Sequence, residues 1–133
     1  MKKRLLSILL TLCMVLTLLP TAALAAGTTN IYGDFTVTFD GAEPTYDSNT
    51  LTLGSGTYTI SGATTAGKIV VTTGATANIT LNVVDIDVSG TESACAFDIA
   101  GATVNLTLGG TNTLKSGRGA AGLRVPTGAS LTI

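Results

Sequence analysis

A few carboxylates hold most of the chemical options of this chain. Asp85, Asp87 and Asp98 are the candidate metal ligands. Asp85 and Asp87 stand two apart, and alternate residues of an extended strand face the same side. Asp98 takes an outward position in a later strand. Such a patch suits Ca²⁺, which gathers several oxygen ligands. The plainer reading treats the three as solvated charges that keep a sheet soluble and block lateral pairing. A carboxylate pair can also serve a glycoside hydrolase. Asp85 and Asp87 meet that need by spacing alone, with no sign of the shielded cleft that raises a carboxyl pKa.

Composition removes other chemistry. The chain has no histidine and no tryptophan. Without histidine there are no Ser–His or Cys–His nucleophile pairs and no imidazole metal ligands. No catalytic set and no organic cofactor are therefore expected. Lys115, Arg118 and Arg124 gather near the end of the chain. They either contact an acidic sugar or wall polymer, or form a solvated face. Tyr32, Tyr46 and Tyr58 are possible platforms for sugar rings, although the repeat described below turns Tyr58 inward.

Residues 1–25 read as a secretory signal peptide. Lys2, Lys3 and Arg4 form a basic start, Leu5 to Leu19 an apolar run ended by Pro20, and Ala23-Leu24-Ala25 a small-x-small cleavage site. The apolar run is shorter than the roughly 20 residues a membrane-spanning helix needs. The processed chain is expected to be secreted or held at the cell surface, and not embedded in a membrane. It keeps four basic residues against eight acidic ones. That balance argues against a nucleic-acid partner, because phosphate binding needs a basic face. Cys95 is its single cysteine, so no disulfide framework exists. At an inward position it serves as a small hydrophobe; pairing between chains is the alternative.

The elements that position these groups follow from a repeat. Gly74-Ala75-Thr76, Gly101-Ala102-Thr103 and Gly128-Ala129-Ser130 recur 27 residues apart. Ser61-Gly62, Ser89-Gly90 and Ser116-Gly117 recur at 28 and then 27. A pitch of this size marks stacked coils. Within each copy, short runs alternate apolar with Thr, Asn or Asp, which is a strand signal. Ile69, Val71, Ile79 and Leu81 form one inward set, Phe97, Ile99, Leu106 and Leu108 the next, and Leu123, Val125 and Ile133 the last. An offset of 28 places Leu51 over Ile79, Leu53 over Leu81, Tyr58 over Ile86 and Ile60 over Val88. Gly62, Gly90 and Gly117 then share one corner, and Gly74, Gly101 and Gly128 another. Asn78 falls over Asn105, Thr80 over Thr107, and Thr76 over Thr103 and Ser130, so like residues can form columns. Thr36/Thr38, Thr50/Thr52 and Thr57/Thr59 have the spacing of flat ice-binding faces, but the alignment does not bring them to one repeated position.

The predicted fold is all-β, a right-handed parallel β-helix. Residues 26–49 form an N-terminal cap and first strand, and residues 50–133 the coils. The last coil is incomplete, so further coils of a longer chain are expected after Ile133.

The stretches GTYTISG, ITLNVVDIDVSG, VNLTLGGTNTLKSG and AGLRVPTGASLTI resemble the carbohydrate-binding-domain type of β-helix in secreted surface proteins of clostridial-like Gram-positive bacteria. The resemblance spans Gly56 to Ile133 and rests on turn glycines and inward aliphatics. It implies a pectate-lyase-like fold, and binding of acidic plant polysaccharide and calcium without cleavage in some members. Three roles are compatible with these features: a non-catalytic carbohydrate-binding module, a spacer repeat of a larger surface adhesin, and part of a polysaccharide lyase. The first agrees best with an acidic, secreted chain that lacks a catalytic set.

Overall fold

The computed structural model describes residues 27–133, so the expected signal peptide lies outside the described residues. Those residues form an all-β structure of two sheets and no helix. One sheet contains β1 (Thr28–Tyr32), β2 (Phe35–Gly41), β5 (Gly56–Thr64), β7 (Thr76–Asp87), β9 (Thr103–Gly109) and β12 (Ser130–Thr132) in that order. A short strand, β10 (Thr113–Lys115), also pairs with β7. The other sheet runs β11 (Leu123–Arg124), β8 (Phe97–Asp98), β6 (Lys68–Val71), β4 (Thr50–Leu53), β3 (Thr45–Asp47).

Both sheets are mixed. The β1–β2 and β2–β5 pairs are antiparallel, as is β3–β4. Every later pair is parallel. Residues before Thr50 thus occupy one edge of each sheet with strands of opposite direction.

The 27-residue pitch is a real pairing register. Thr76, Asn78 and Thr80 lie beside Thr103, Asn105 and Thr107, and Thr103 beside Ser130. The Gly-Ala corner repeats as well. Ala75, Ala102 and Ala129 each donate their N–H to the carbonyl three residues back, on Thr72, Ile99 and Pro126. Gly74 and Gly128 take the positive φ at their turns, at 81° and 89°. In the middle turn Ala100 takes it instead, at 44°, with its N–H held 2.8 Å from the Asp98 carboxylate.

The offset of 28 fails for the earliest strands. Leu51 pairs with Ile69 and Leu53 with Val71, 18 residues on. Tyr58 pairs with Ile79 and Ile60 with Leu81, 21 residues on. The cause is connection length. Three residues, 65–67, join β5 to β6, whereas 88–96 join β7 to β8. Both registers set aliphatic against aliphatic, because a bulge opposite Ser61 lets Ile79 and Leu81 face inward and Val84 and Ile86 face inward too. Side-chain pattern alone therefore did not separate them. The Ser-Gly corner fails with it. Gly62 sits inside β5 between Phe35 and Val84, where a Cβ would meet the Asp34 carbonyl. Gly117 instead donates its N–H to Ala94, and Gly90 stands in open space.

The core lies between the sheets in columns. Phe39, Tyr58, Ile79 and Leu106 follow one another across four strands, and Val37, Ile60, Leu81 and Leu108 make the next column. Most are fully buried, each worth about 1.5–3 kcal/mol against exposure. Leu108 and Val125, expected inside, are 53% and 46% exposed. Leu108 stands in β9 past the stretch that pairs with β12, Thr103 to Asn105. Ile79→Ala, between Tyr58 and Leu106, should lose about 2–5 kcal/mol. Leu108→Ala should lose far less, and urea unfolding of both variants reads the difference.

Candidate functional site

The outer surface of the larger sheet is divided by the corner in β7. There Ser61 faces the pair Asn82 and Val83, and the register shifts by one. Val83 takes φ 57°, unfavourable for a β-branched side chain, and stands 61% exposed. The Asn112 side-chain oxygen accepts the Val84 N–H at 2.7 Å and fixes the corner. Before it β7 pairs with β9, and after it with β10.

Beyond the corner lies an open cleft of about 410 Å³, lined by Asp34, Ala63, Thr64, Thr65, Asp85 and Asp87. The pairing of Phe35 with Gly62, and of Gly62 with Val84, brings Asp34 next to Ala63 and Asp85. Thr64 is the one buried polar residue of the described chain. Its hydroxyl donates to Asp34 at 2.7 Å and accepts the Gly67 N–H at 2.8 Å. Asp34 thereby has a fixed orientation at the cleft. It was not a candidate on sequence grounds, since it precedes the repeat, in the turn between β1 and β2.

Asp85 and Asp87 share a face, as their spacing requires, while Asp98 lies in the other sheet. The three carboxylates are not brought together. Among the described residues, no group of three acidic, histidine or cysteine side chains is close enough to hold a metal ion. Asp87 accepts hydrogen bonds from Ser89 and from the Lys115 ammonium at 2.9 Å. Ser89 chiefly, then Lys115, lowers its pKa from 3.8 to about 2. Asp98 faces the Arg124 guanidinium at 3.7 Å. The basic trio is thus split: Lys115 and Arg124 each meet an aspartate of the neighbouring strand, on different sheets, and Arg118 is exposed.

The tyrosines are not free platforms. Tyr58 is core, and its hydroxyl donates to the Ala42 carbonyl at 2.8 Å. Tyr32 packs edge-on against Phe39, and Tyr46 covers Gly33. Cys95 is half-buried rather than fully inward; its Sγ lies 3.2 Å from the Phe97 carbonyl, and burial raises its pKa.

Before the corner, the outer face is a regular polar array. Thr29, Thr38, Thr59, Thr80 and Thr107 stand side by side across five strands. Asp40, Thr57, Asn78, Asn105 and Thr132 form the adjoining row. All ten are partly or fully exposed. Neighbours hydrogen-bond along the rows, Thr29 to Thr38 at 2.8 Å and Asn105 to Asn78 at 2.9 Å. Thr38 and Thr59 therefore share a row, whereas Thr36 lies beside Ser61 and Thr57 beside Asp40, so the Thr-x-Thr pairs as such do not fall on one repeated position. Thr50/Thr52 lies in the other sheet.

Comparison with family models, curated proteins and solved structures finds no match to this chain.

The Asp87 carboxyl has its pKa depressed on folding, so its contribution to stability is present above pH 3.8 and lost as the pH falls towards about 2. Lys115→Met should raise the Asp87 pKa only part of the way to 3.8, because Ser89 still donates to it. Side-chain carboxyl NMR titration measures both values.

Proposed function

We propose that this chain is a secreted or cell-surface module that binds neutral polysaccharide without cleaving it, built as a right-handed parallel β-helix. The helix reading is supported by parallel pairing at a 27-residue offset and by β7 passing from one partner strand to another at its corner. The leader sequence supports secretion, and the resemblance of Gly56 to Ile133 supports the carbohydrate role.

The observation that carries the binding reading is the outer array. Threonine hydroxyls and asparagine amides both donate and accept hydrogen bonds, as sugar hydroxyls do. The array repeats them on a sheet in which β2, β5 and β7 are paired on both sides along it. At its border, the Asp34 and Asp85 carboxylates can accept from sugar hydroxyls, and such charge-assisted bonds are the stronger kind. Eight acidic residues against four basic ones in the processed chain disfavour an acidic polymer. The reading does not rest on calcium, since Asp98 stands apart from Asp85 and Asp87.

The test is retention of the processed chain on a panel of soluble and insoluble polysaccharides, with and without Ca²⁺. Retention on at least one neutral polymer, with no release of reducing ends, is expected. Retention on none would overturn the reading and leave a spacer role in a larger surface adhesin. Turnover would overturn its non-catalytic part.

A further inference from the structure

The threonine row and its neighbour define a lattice in two directions. Across the strands, adjacent positions lie about 4.8 Å apart, and along each strand, outward positions repeat about every 6.7 Å. Five strands take part in each row. A single charged group, Asp40, interrupts the two rows. No aromatic ring stands in either row, so the face has no platform on which one sugar ring could stack.

That combination limits what the face can hold. An exposed hydrogen bond exchanges a water for a ligand group and gains little by itself. A short, flexible oligosaccharide would also lose rotational freedom on the face, with no enclosing cleft to offset it. Many weak contacts add up only when the second and later ones are already in place, as they are in a rigid, repeating ligand. We infer that the array of Thr38, Thr59, Thr80 and Asn78 selects neutral polysaccharide chains packed in an ordered, insoluble surface, and discriminates against the same polymer free in solution. This rests on the polysaccharide-binding reading above and names the physical state of its ligand. Charge agrees with it: the rows are almost neutral, as a surface of uncharged sugar chains is.

The experiment is a depletion assay with the processed chain on microcrystalline cellulose and crystalline chitin. Affinity electrophoresis on hydroxyethylcellulose and glycol chitin runs beside it. The variant Thr38→Val/Thr59→Val/Thr80→Val removes three hydroxyls from exposed strand positions while keeping β-branched side chains. Thr59→Arg keeps the hydroxyls on either side but breaks the flat surface, and Thr52→Val on the other sheet is the control. Circular dichroism and urea unfolding confirm that each variant is folded. The expected result is binding to a crystalline polymer at least tenfold tighter than to its soluble form. The triple variant and Thr59→Arg should each lose at least tenfold, and Thr52→Val should be unchanged. Equal binding to soluble and crystalline forms would overturn the inference and leave the polysaccharide-binding function standing. Crystalline binding unaffected by both face variants would also overturn it, because another surface would then be responsible. Binding to no polysaccharide overturns both. Inhibition of ice recrystallisation without polysaccharide binding would assign the lattice to ordered water and overturn both as well.

Discussion

Parallel, in-register pairing of like strands is the constraint on which the rest of the structure depends. It sets each residue beside the corresponding residue of the next strand, so one local choice is copied across the sheet. Inside, it converts single side chains into continuous columns such as Tyr58, Ile79 and Leu106. Outside, it lines up Thr59, Thr80 and Thr107, and antiparallel pairing extends the row to Thr38 and Thr29. The ion pairs follow the same rule, since Asp87 with Lys115 and Asp98 with Arg124 are register partners before they are charge partners.

Polar groups on such a face are positioned by the backbone, with little help from one another. The Asn105–Asn78 and Thr29–Thr38 hydrogen bonds join side chains that pairing has already made neighbours. The cleft beyond the β7 corner is different. Asp34 reaches it from the turn between β1 and β2 and is held there by Thr64, whose hydroxyl also ties the turn at Gly67. A rigid array and a tethered carboxylate border one another, and both face solvent.

Much of this was legible from residue types. The Gly-Ala corner and the columns Asn78–Asn105 and Thr80–Thr107 follow from a pitch of 27, because equal connections give equal offsets. The inward position of Tyr58 followed from the repeat alignment, which set it over Ile86; it lies beside Ile79 instead, and that position faces inward too. The earliest register was not. Ser-Gly recurs at the expected distance, yet Gly62, Gly90 and Gly117 occupy three different environments, and the short connection at 65–67 carries no marker of its own. That displaced offset hid the threonine row, since Thr59 falls into line with Thr80 only at 21 residues and Thr38 joins Thr59 through antiparallel pairing. It also hid Asp34, whose place depends on antiparallel pairing that no repeat can report. Asp98 shows a second limit: its sheet and its partner Arg124 were not readable from the repeat.

The outer array exists only if β5 lies on β7 with an offset of 21, and cross-linking tests that directly. Neighbouring strands sit about 4.8 Å apart, within the Cα range of a disulfide. In a Cys95→Ala background, the Thr59→Cys/Thr80→Cys pair should oxidise rapidly to an intramolecular disulfide without loss of stability. The Thr59→Cys/Asp87→Cys pair, which an offset of 28 would bring together, should stay reduced. The reverse pattern would contradict the register, and with it the threonine row and the surface proposed to bind.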